Sequence, residues 1–337
     1  MPVVTITQIA EALGLAHTTV SRALNDHPKI SPQTKLRVRE AAEAMGYIPN
    51  SGARHMRSGS SNVVGLVFPD IQNEFFNAAA RSMAAHCARS GYQMILGLSE
   101  DDPQREEQQV RAMRENRVAG MMIAPCGFPT PETARLLSQI PAVQFLRRND
   151  ALGATGVYAD DGQGIWEATR HLLLLKHRRI GYIGPSRALS TGAQRLEGHE
   201  AALRQMGIAI DESLYYLGPA RPDAGYEGLK ALLTRPRPPT AIVAASSQQL
   251  LGVLRALRES GTDVPQSLSL VAYGDTPWFE ACNPAVTAVA LPVDQMCETA
   301  SSLLFKLIEG EGNTPAGGWR QVFATTLVVR GTTRCLE

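Results

Sequence analysis

The sequence predicts a small all-α helix-turn-helix head followed by a larger two-lobed α/β body built on parallel sheets. Three observations carry this. Before residue 48 there are three short helical stretches with their caps legible; between Tyr47 and Asn62 lies a break rich in glycine, serine and proline. Beyond it, short continuous apolar runs alternate with amphipathic stretches, the pattern of strands covered on both faces by helices. At 337 residues the chain is also long for a single core.

In the head, Thr5-Ile6-Thr7-Gln8 has the spacing of a capping box, in which the Thr5 hydroxyl and the Gln8 amide satisfy each other's backbone N–H groups. The first helix runs from there to about Leu13, and Gly14 permits the turn. A second helix is expected over Thr18 to Leu24, closed at Asn25. Ser31-Pro32 supplies a cap and a first-turn proline to a third, which ends at Met45-Gly46. Ile9, Ala10, Leu13, Val20, Leu24, Ile30, Leu36 and Ala42 can form one small core. In the body, strands are expected at 63–68, 93–98, 120–125, 142–146, 179–184, 241–246 and 268–274, joined by right-handed crossovers. The late segments 285–291 and 325–333 cross back between the lobes and so define a cleft. The expected boundaries are 1–48 for the head, 49–62 for the linker and 63–337 for the body. Within the body, a first lobe spans about 63–160 and a second about 161–290, and 291–337 returns to the first.

Composition limits the function. With 44% hydrophobic and 19% charged residues the chain can bury cores throughout, so disorder is not expected. No apolar run reaches the length of a membrane span, and the N-terminus lacks the charged-then-apolar order of an export signal, which predicts a cytoplasmic protein. The five cysteines, Cys87, Cys126, Cys282, Cys297 and Cys335, are scattered and read as reduced thiols, with neither metal nor cofactor expected. Residues 1–60 carry seven Lys and Arg against four Asp and Glu, a head of +3, while the rest of the chain is −2. A basic head on a slightly acidic body is the electrostatic footprint of a nucleic-acid binder.

The stretch TITQIAEALGLAHTTVSRALNDHPKISPQTKLRVREAAEAMGYIPN resembles the head of the lactose-repressor (LacI/GalR) family, and the resemblance continues through "VAYGDTP" to "GTTR". It implies a periplasmic-binding-protein-like effector domain in the body. It also implies a sequence-specific, DNA-binding transcription regulator, with His17, Thr18 and Arg22 reading base edges and Thr5, Ser21 and Asn25 near phosphates. The chemistry agrees: a helix fits the major groove, arginine bonds bidentately to guanine, and hydroxyl and amide groups suit phosphates. Ala16 stands where the family usually has a capping serine. "NSGARHM" matches the family hinge, implying that Arg54 and Met56 meet the minor groove, Met56 as an apolar wedge. In the body, the resemblance places Phe75 or Phe76, Arg147, Thr191, Arg195, Ser246, Asp275 and Trp278 at the effector.

Departures from the family pattern bear on the effector. Leu146, Ser246, Ser247 and Gly274 replace side chains that bind hydroxyls in sugar-sensing members, whereas the arginines remain. This predicts an anionic effector, a sugar acid or another organic acid, with a neutral sugar or nucleoside as the alternative. The expected partners are a small-molecule effector and a palindromic double-stranded operator bound by a homodimer, since one head reads too few bases. No heptad repeat follows the body, so no tail-built tetramer is expected. Phosphate-loop, nucleophile-elbow and metalloprotease motifs are missing, which argues against an enzyme, and residues 1–60 argue against a solute-binding protein.

Overall fold

The computed structural model describes residues 4–47, 61–153, 155–310 and 318–337. Two compact units emerge, Met1–Ser61 and Asn62–Glu337.

The first unit contains helices α1 (Ile6–Leu13), α2 (His17–Leu24) and α3 (Pro32–Ala44). The capping box of α1 is complete: Gln8 N–H donates to the Thr5 hydroxyl, and Thr5 N–H donates to Gln8 Oε1 at 2.8 Å. Gly14 ends the helix with φ 64°, a left-handed conformation that glycine adopts without a Cβ penalty. Helix α2 begins one residue earlier than expected, and its Ala16 cap offers no side-chain acceptor. Ile9, Ala10, Val20, Ala23, Val38 and Ala42 close the core, with Leu13, Leu24 and Ile30 packed against it. Leu36, expected in that core, is 58% exposed. The buried positions of α3 are Val38 and Ala42, four apart; Leu36 precedes Val38 by two residues, about 200° around the helix, and so faces outwards.

The second unit holds two six-stranded sheets. The first contains β1 (Val63–Phe68), β2 (Gln93–Leu98), β3 (Gly120–Ile123), β4 (Ala142–Phe145), β5 (Gly156–Ala159) and β11 (Arg320–Phe323), in the order β11-β5-β4-β3-β1-β2. The second contains β6 (Ile180–Pro185), β7 (Tyr215–Gly218), β8 (Ala241–Ala244), β9 (Ser269–Tyr273), β10 (Thr287–Ala290) and β12 (Thr326–Val328), in the order β12-β10-β9-β8-β6-β7. All pairs are parallel except β10 with β12.

Helices cover both faces of each sheet. The first lobe uses α4 (Glu74–Arg89), α5 (Pro103–Glu115), α6 (Pro131–Leu137) and α12 (Val293–Glu309); the second uses α7 (Asp161–Leu174), α8 (Ser190–Gln205), α9 (Pro222–Leu233), α10 (Ser247–Ser260) and α11 (Pro277–Ala281). Strands that are entirely apolar, such as β3 and β8, are buried along their whole length. Strand β2 is an edge, which leaves Ile95 40% and Leu98 36% exposed.

The chain crosses between lobes after Ala159, after Ala290 and after Phe323. Against the expected return of 291–337 to the first lobe, Thr326–Val328 closes the open side of β10, and Thr332 bonds to Leu270 O and Thr287 N. Strands β5, β7 and β11 are not among those expected, whereas β10 and β12 fall within the late segments 285–291 and 325–333.

Candidate functional site

On the first unit, His17 and Thr18 open α2, and Arg22 lies one turn after Thr18 on the same face; all three are exposed, as are Thr5 and Asn25. Asp26, a rival partner for Arg22, binds Lys35 Nζ at 3.0 Å and Arg39 Nη2 at 3.1 Å instead. The Lys35 hydrogen bond, then its charge and that of Arg39, hold the Asp26 carboxyl below its ordinary pKa. The helix start therefore presents an imidazole, a hydroxyl and an arginine with no ion pair among the described residues. Two assignments fare differently. Ser21 is 6% exposed and turns towards the core, so its hydroxyl is not displayed for phosphate. The Asn25 amide donates to Ser21 O at 2.7 Å, capping its own helix end. Arg54 and Met56 lie outside the described residues.

On the second unit, the loops after the strands of both lobes face one another, the usual ligand position in open α/β sheets. The lobes touch across this seam where Arg148 N–H donates to Ser190 Oγ at 2.8 Å and Gln248 Nε2 donates to Gln72 O at 3.2 Å. A cavity of about 280 Å³ is lined by Phe75 and Arg81 from the first lobe and by Ser247, Gly274 and Asp275 from the second. Another, of about 390 Å³, is lined by Asp70, Glu100, Asp101, Arg221, Asp223 and Gln248, among others.

Of the aromatic pair, Phe75 borders the cavity and rests 6.2 Å from Phe145. Phe76 is core, 2% exposed and 5.1 Å from Phe68. Gly274 has φ 90°, a conformation that a side-chain-bearing residue reaches only with strain, which gives a physical reason for its glycine. Trp278 packs edge-on against Phe279, 4.4 Å away, and lines neither cavity. Thr191 and Ser246 are each 4% exposed.

The three charged groups that the sequence assigned to the cleft, Arg195, Arg147 and Asp275, are already partnered. Arg195 donates from Nε to Asp161 Oδ1 at 2.6 Å and from Nη1 to Ala245 O at 2.9 Å, with its guanidinium 3.6 Å above the Tyr273 ring. Arg147, 6% exposed, pairs with Asp101 and lies over Phe76. Asp275 accepts two bonds from Arg330, at 2.9 and 2.8 Å. The expectation of an acid-binding cleft rested on two arginines open to a ligand, and each has a carboxylate of its own. Beneath Arg195 lies a buried polar cluster: Asp161 Oδ2 and the Tyr273 and Tyr182 hydroxyls have no partner among the described residues. Burial raises the Tyr273 and Tyr182 pKa values and lowers that of His199 to about 3.

Sequence reading missed Asp161, Asp101, Arg330, Gln248 and Tyr273. Tyr273 stands inside the quoted "VAYGDTP", and Asp161 in the acidic pair before Gly162, but neither partner is adjacent in sequence. Among the described residues no cluster of His, Cys, Asp and Glu is placed to hold a metal, and no helix is long and apolar enough to cross a membrane.

Residues 5–50 match the model of bacterial regulatory proteins of the lacI family, and residues 169–333 match that of a periplasmic binding protein-like domain. The chain is 30% identical to the HTH-type transcriptional regulator GalR of Escherichia coli over 327 residues, 97% of this chain and 94% of that protein. This chain belongs to the LacI family. It is a DNA-binding transcription regulator, and its relatives are regulators rather than enzymes. The LacI-family fold is shared in full with the lac repressor dimer bound to operator and an anti-inducer. There the TM-score is 0.84 at 22% identity, over 99% of this chain and 100% of that one. The regulator CelR in complex with cellobiose matches with a TM-score of 0.73 at 27% identity, covering 98% and 99%.

Proposed function

We propose that this LacI-family member is a cytoplasmic repressor that binds a palindromic operator as a homodimer and changes its grip when a small molecule enters the cleft. The observation that carries the DNA reading is the α2 face: His17, Thr18 and Arg22 are exposed together while α3 takes up Asp26. Arg22 would bond a guanine and His17 and Thr18 its neighbours, with Thr5 and Asn25 near phosphates and Arg54 and Met56 in the minor groove. Dimerisation through the body is supported by Ile95 and Leu98 on the β2 edge and by Leu251, 42% exposed, on α10. Selection of bound fragments from random DNA tests this reading. A two-fold symmetric consensus is expected; an asymmetric site, or a monomer in sedimentation on DNA, would overturn it.

For the effector, the supported reading is a neutral hydroxylated molecule rather than an acid. Arg195, Arg147 and Asp275 are neutralised within the chain, and the larger cavity carries four carboxylates against one arginine. Phe75 and Ser247 line the smaller cavity, with Thr191, Arg195 and Ser246 beneath the seam. CelR, bound to cellobiose, is similar over the whole chain. Thermal-shift screening with matched acids and their neutral parents decides the point: stabilisation by acids alone would restore the anion.

A further inference from the structure

Arg195 lies among groups that together suit an anion, and the chain supplies that anion itself. Helix α8 begins at Ser190 and helix α10 at Ser247, and neither of the cap residues, Leu189 and Ser246, places a side chain on the free N–H groups. Thr191 lies one turn before Arg195 on α8, and Ser246 follows Ala245, whose carbonyl accepts from Arg195 Nη1 at 2.9 Å. Both residues are 4% exposed, and their hydroxyls have no partner among the described residues. Two helix starts, two hydroxyls and a guanidinium are the groups that hold an anion. The position is taken: Asp161, 1% exposed in the first turn of α7, accepts from Arg195 Nε at 2.6 Å, and the Tyr273 ring covers the guanidinium from 3.6 Å. Asp160 beside it is exposed and occupied in capping Gln163 N–H at 3.0 Å. Nη2 is the Arg195 nitrogen left without a partner among the described residues.

We propose that Asp161 is a specificity-determining residue of the effector cleft: it occupies the anion position at Arg195, so the cleft accepts a neutral hydroxylated molecule there and turns anions away. This role rests on the neutral-effector reading and names the residue responsible for it. Burial opposes the Arg195 charge, and the Asp161 carboxylate restores it. The pair carries no net charge. A ligand hydroxyl can accept from Nη2 and bond to Thr191 and Ser246, whereas a carboxylate or sulfate in the same place would meet the Asp161 charge at short range.

Asp161→Asn keeps the side-chain volume and removes the charge, which leaves Arg195, Thr191 and Ser246 to an external anion. Inorganic sulfate serves as the probe and sodium chloride at equal ionic strength as the control, with titration calorimetry on full-length protein. The Asn variant is expected to bind sulfate saturably and about ten-fold or more tightly than the wild type. Asp161→Gly leaves a space the size of one carboxylate, and its melting temperature should rise with formate but not with formamide. Should that variant be unfolded alone, formate should recover folded protein. A residue that only filled space would give neither response to charge. Equal sulfate binding in the wild type and the Asn variant, or none in a folded Asn variant, would overturn the proposal, as would a Gly variant indifferent to formate or equally responsive to formamide. Stabilisation of the wild type by acids alone would instead overturn the neutral-effector reading, so the two fail separately.

Discussion

Arg22 and Arg195 were both assigned a ligand by the motif around them, and the structure treats them in opposite ways. Arg22 stands exposed at the head of a short helix with its nearby acid taken by Lys35 and Arg39. Arg195 is 7% exposed, with Asp161, Ala245 O and Tyr273 gathered round it. A motif fixes where a side chain sits; burial and local partners decide whether its charge is available. In the head, charge is displayed for a polyanion. At Arg195 in the cleft it is cancelled by Asp161.

The sharpest way to break the contrast is to remove the acid under Arg195. Asp161→Ala leaves a guanidinium buried against Tyr273 with only a carbonyl for company, which typically costs about 3–5 kcal/mol. Denaturant unfolding of the body should show that loss, and Asp161→Asn, which keeps an acceptor, should lose less. A change below about 1 kcal/mol would mean that Arg195 is not held by its acid.

The corresponding change in the head should leave the fold intact and act on DNA. Arg22→Ala is expected to weaken operator binding by about 1–3 kcal/mol and to relax preference at one base pair, while binding to random DNA changes far less. An unchanged ratio of operator to random binding would remove Arg22 from base readout.

These two regions were also unequally legible. The caps and turns of the head follow from neighbouring residues: Thr5 with Gln8, Gly14, and Ser31 before Pro32. The long apolar strands announced themselves for the same reason, and residues 63–68 and 93–98 are β1 and β2. Leu36 misled because apolar character alone does not give helical phase. The ion pairs of the cleft were hidden for a different reason: Arg195 and Asp161 are 34 residues apart, Arg147 and Asp101 46, and Arg330 and Asp275 55. Pairings of that range are set by sheet order, which no local pattern encodes.

The buried cluster beneath Arg195 should also make the body acid-sensitive. His199 is fully buried, bonded to Thr169 at 2.9 Å, and burial lowers its pKa to about 3 from an ordinary value near 6.5. The folded form thus stays neutral where the unfolded chain takes up a proton. Stability is complete above about pH 6.5 and falls with acidification towards pH 3, by about 1.4 kcal/mol per unit for this group. His177, also lowered by burial, adds in the same direction. Unfolding free energies at pH 7 and 5 should show the slope, and His199→Gln should flatten part of it; an identical slope in that variant would assign the effect elsewhere.

The smallest expected effect returns to the head. Asp26 and Arg39 are exposed and Lys35 is half-buried, and ion pairs to an exposed carboxylate of this kind contribute little to stability because water and salt screen them. Asp26→Asn should therefore leave the melting temperature of the head nearly unchanged, in contrast to the loss at Asp161. Its consequence is electrostatic. Removing one negative charge beside α2, and releasing Lys35 and Arg39 from it, should tighten binding to operator and to random DNA alike, more at low salt than at high. If Asp26→Asn instead weakened operator binding selectively, the pairing would be positioning α2 for base readout rather than merely sparing Arg22, and the division between a displayed arginine and a held one would need redrawing.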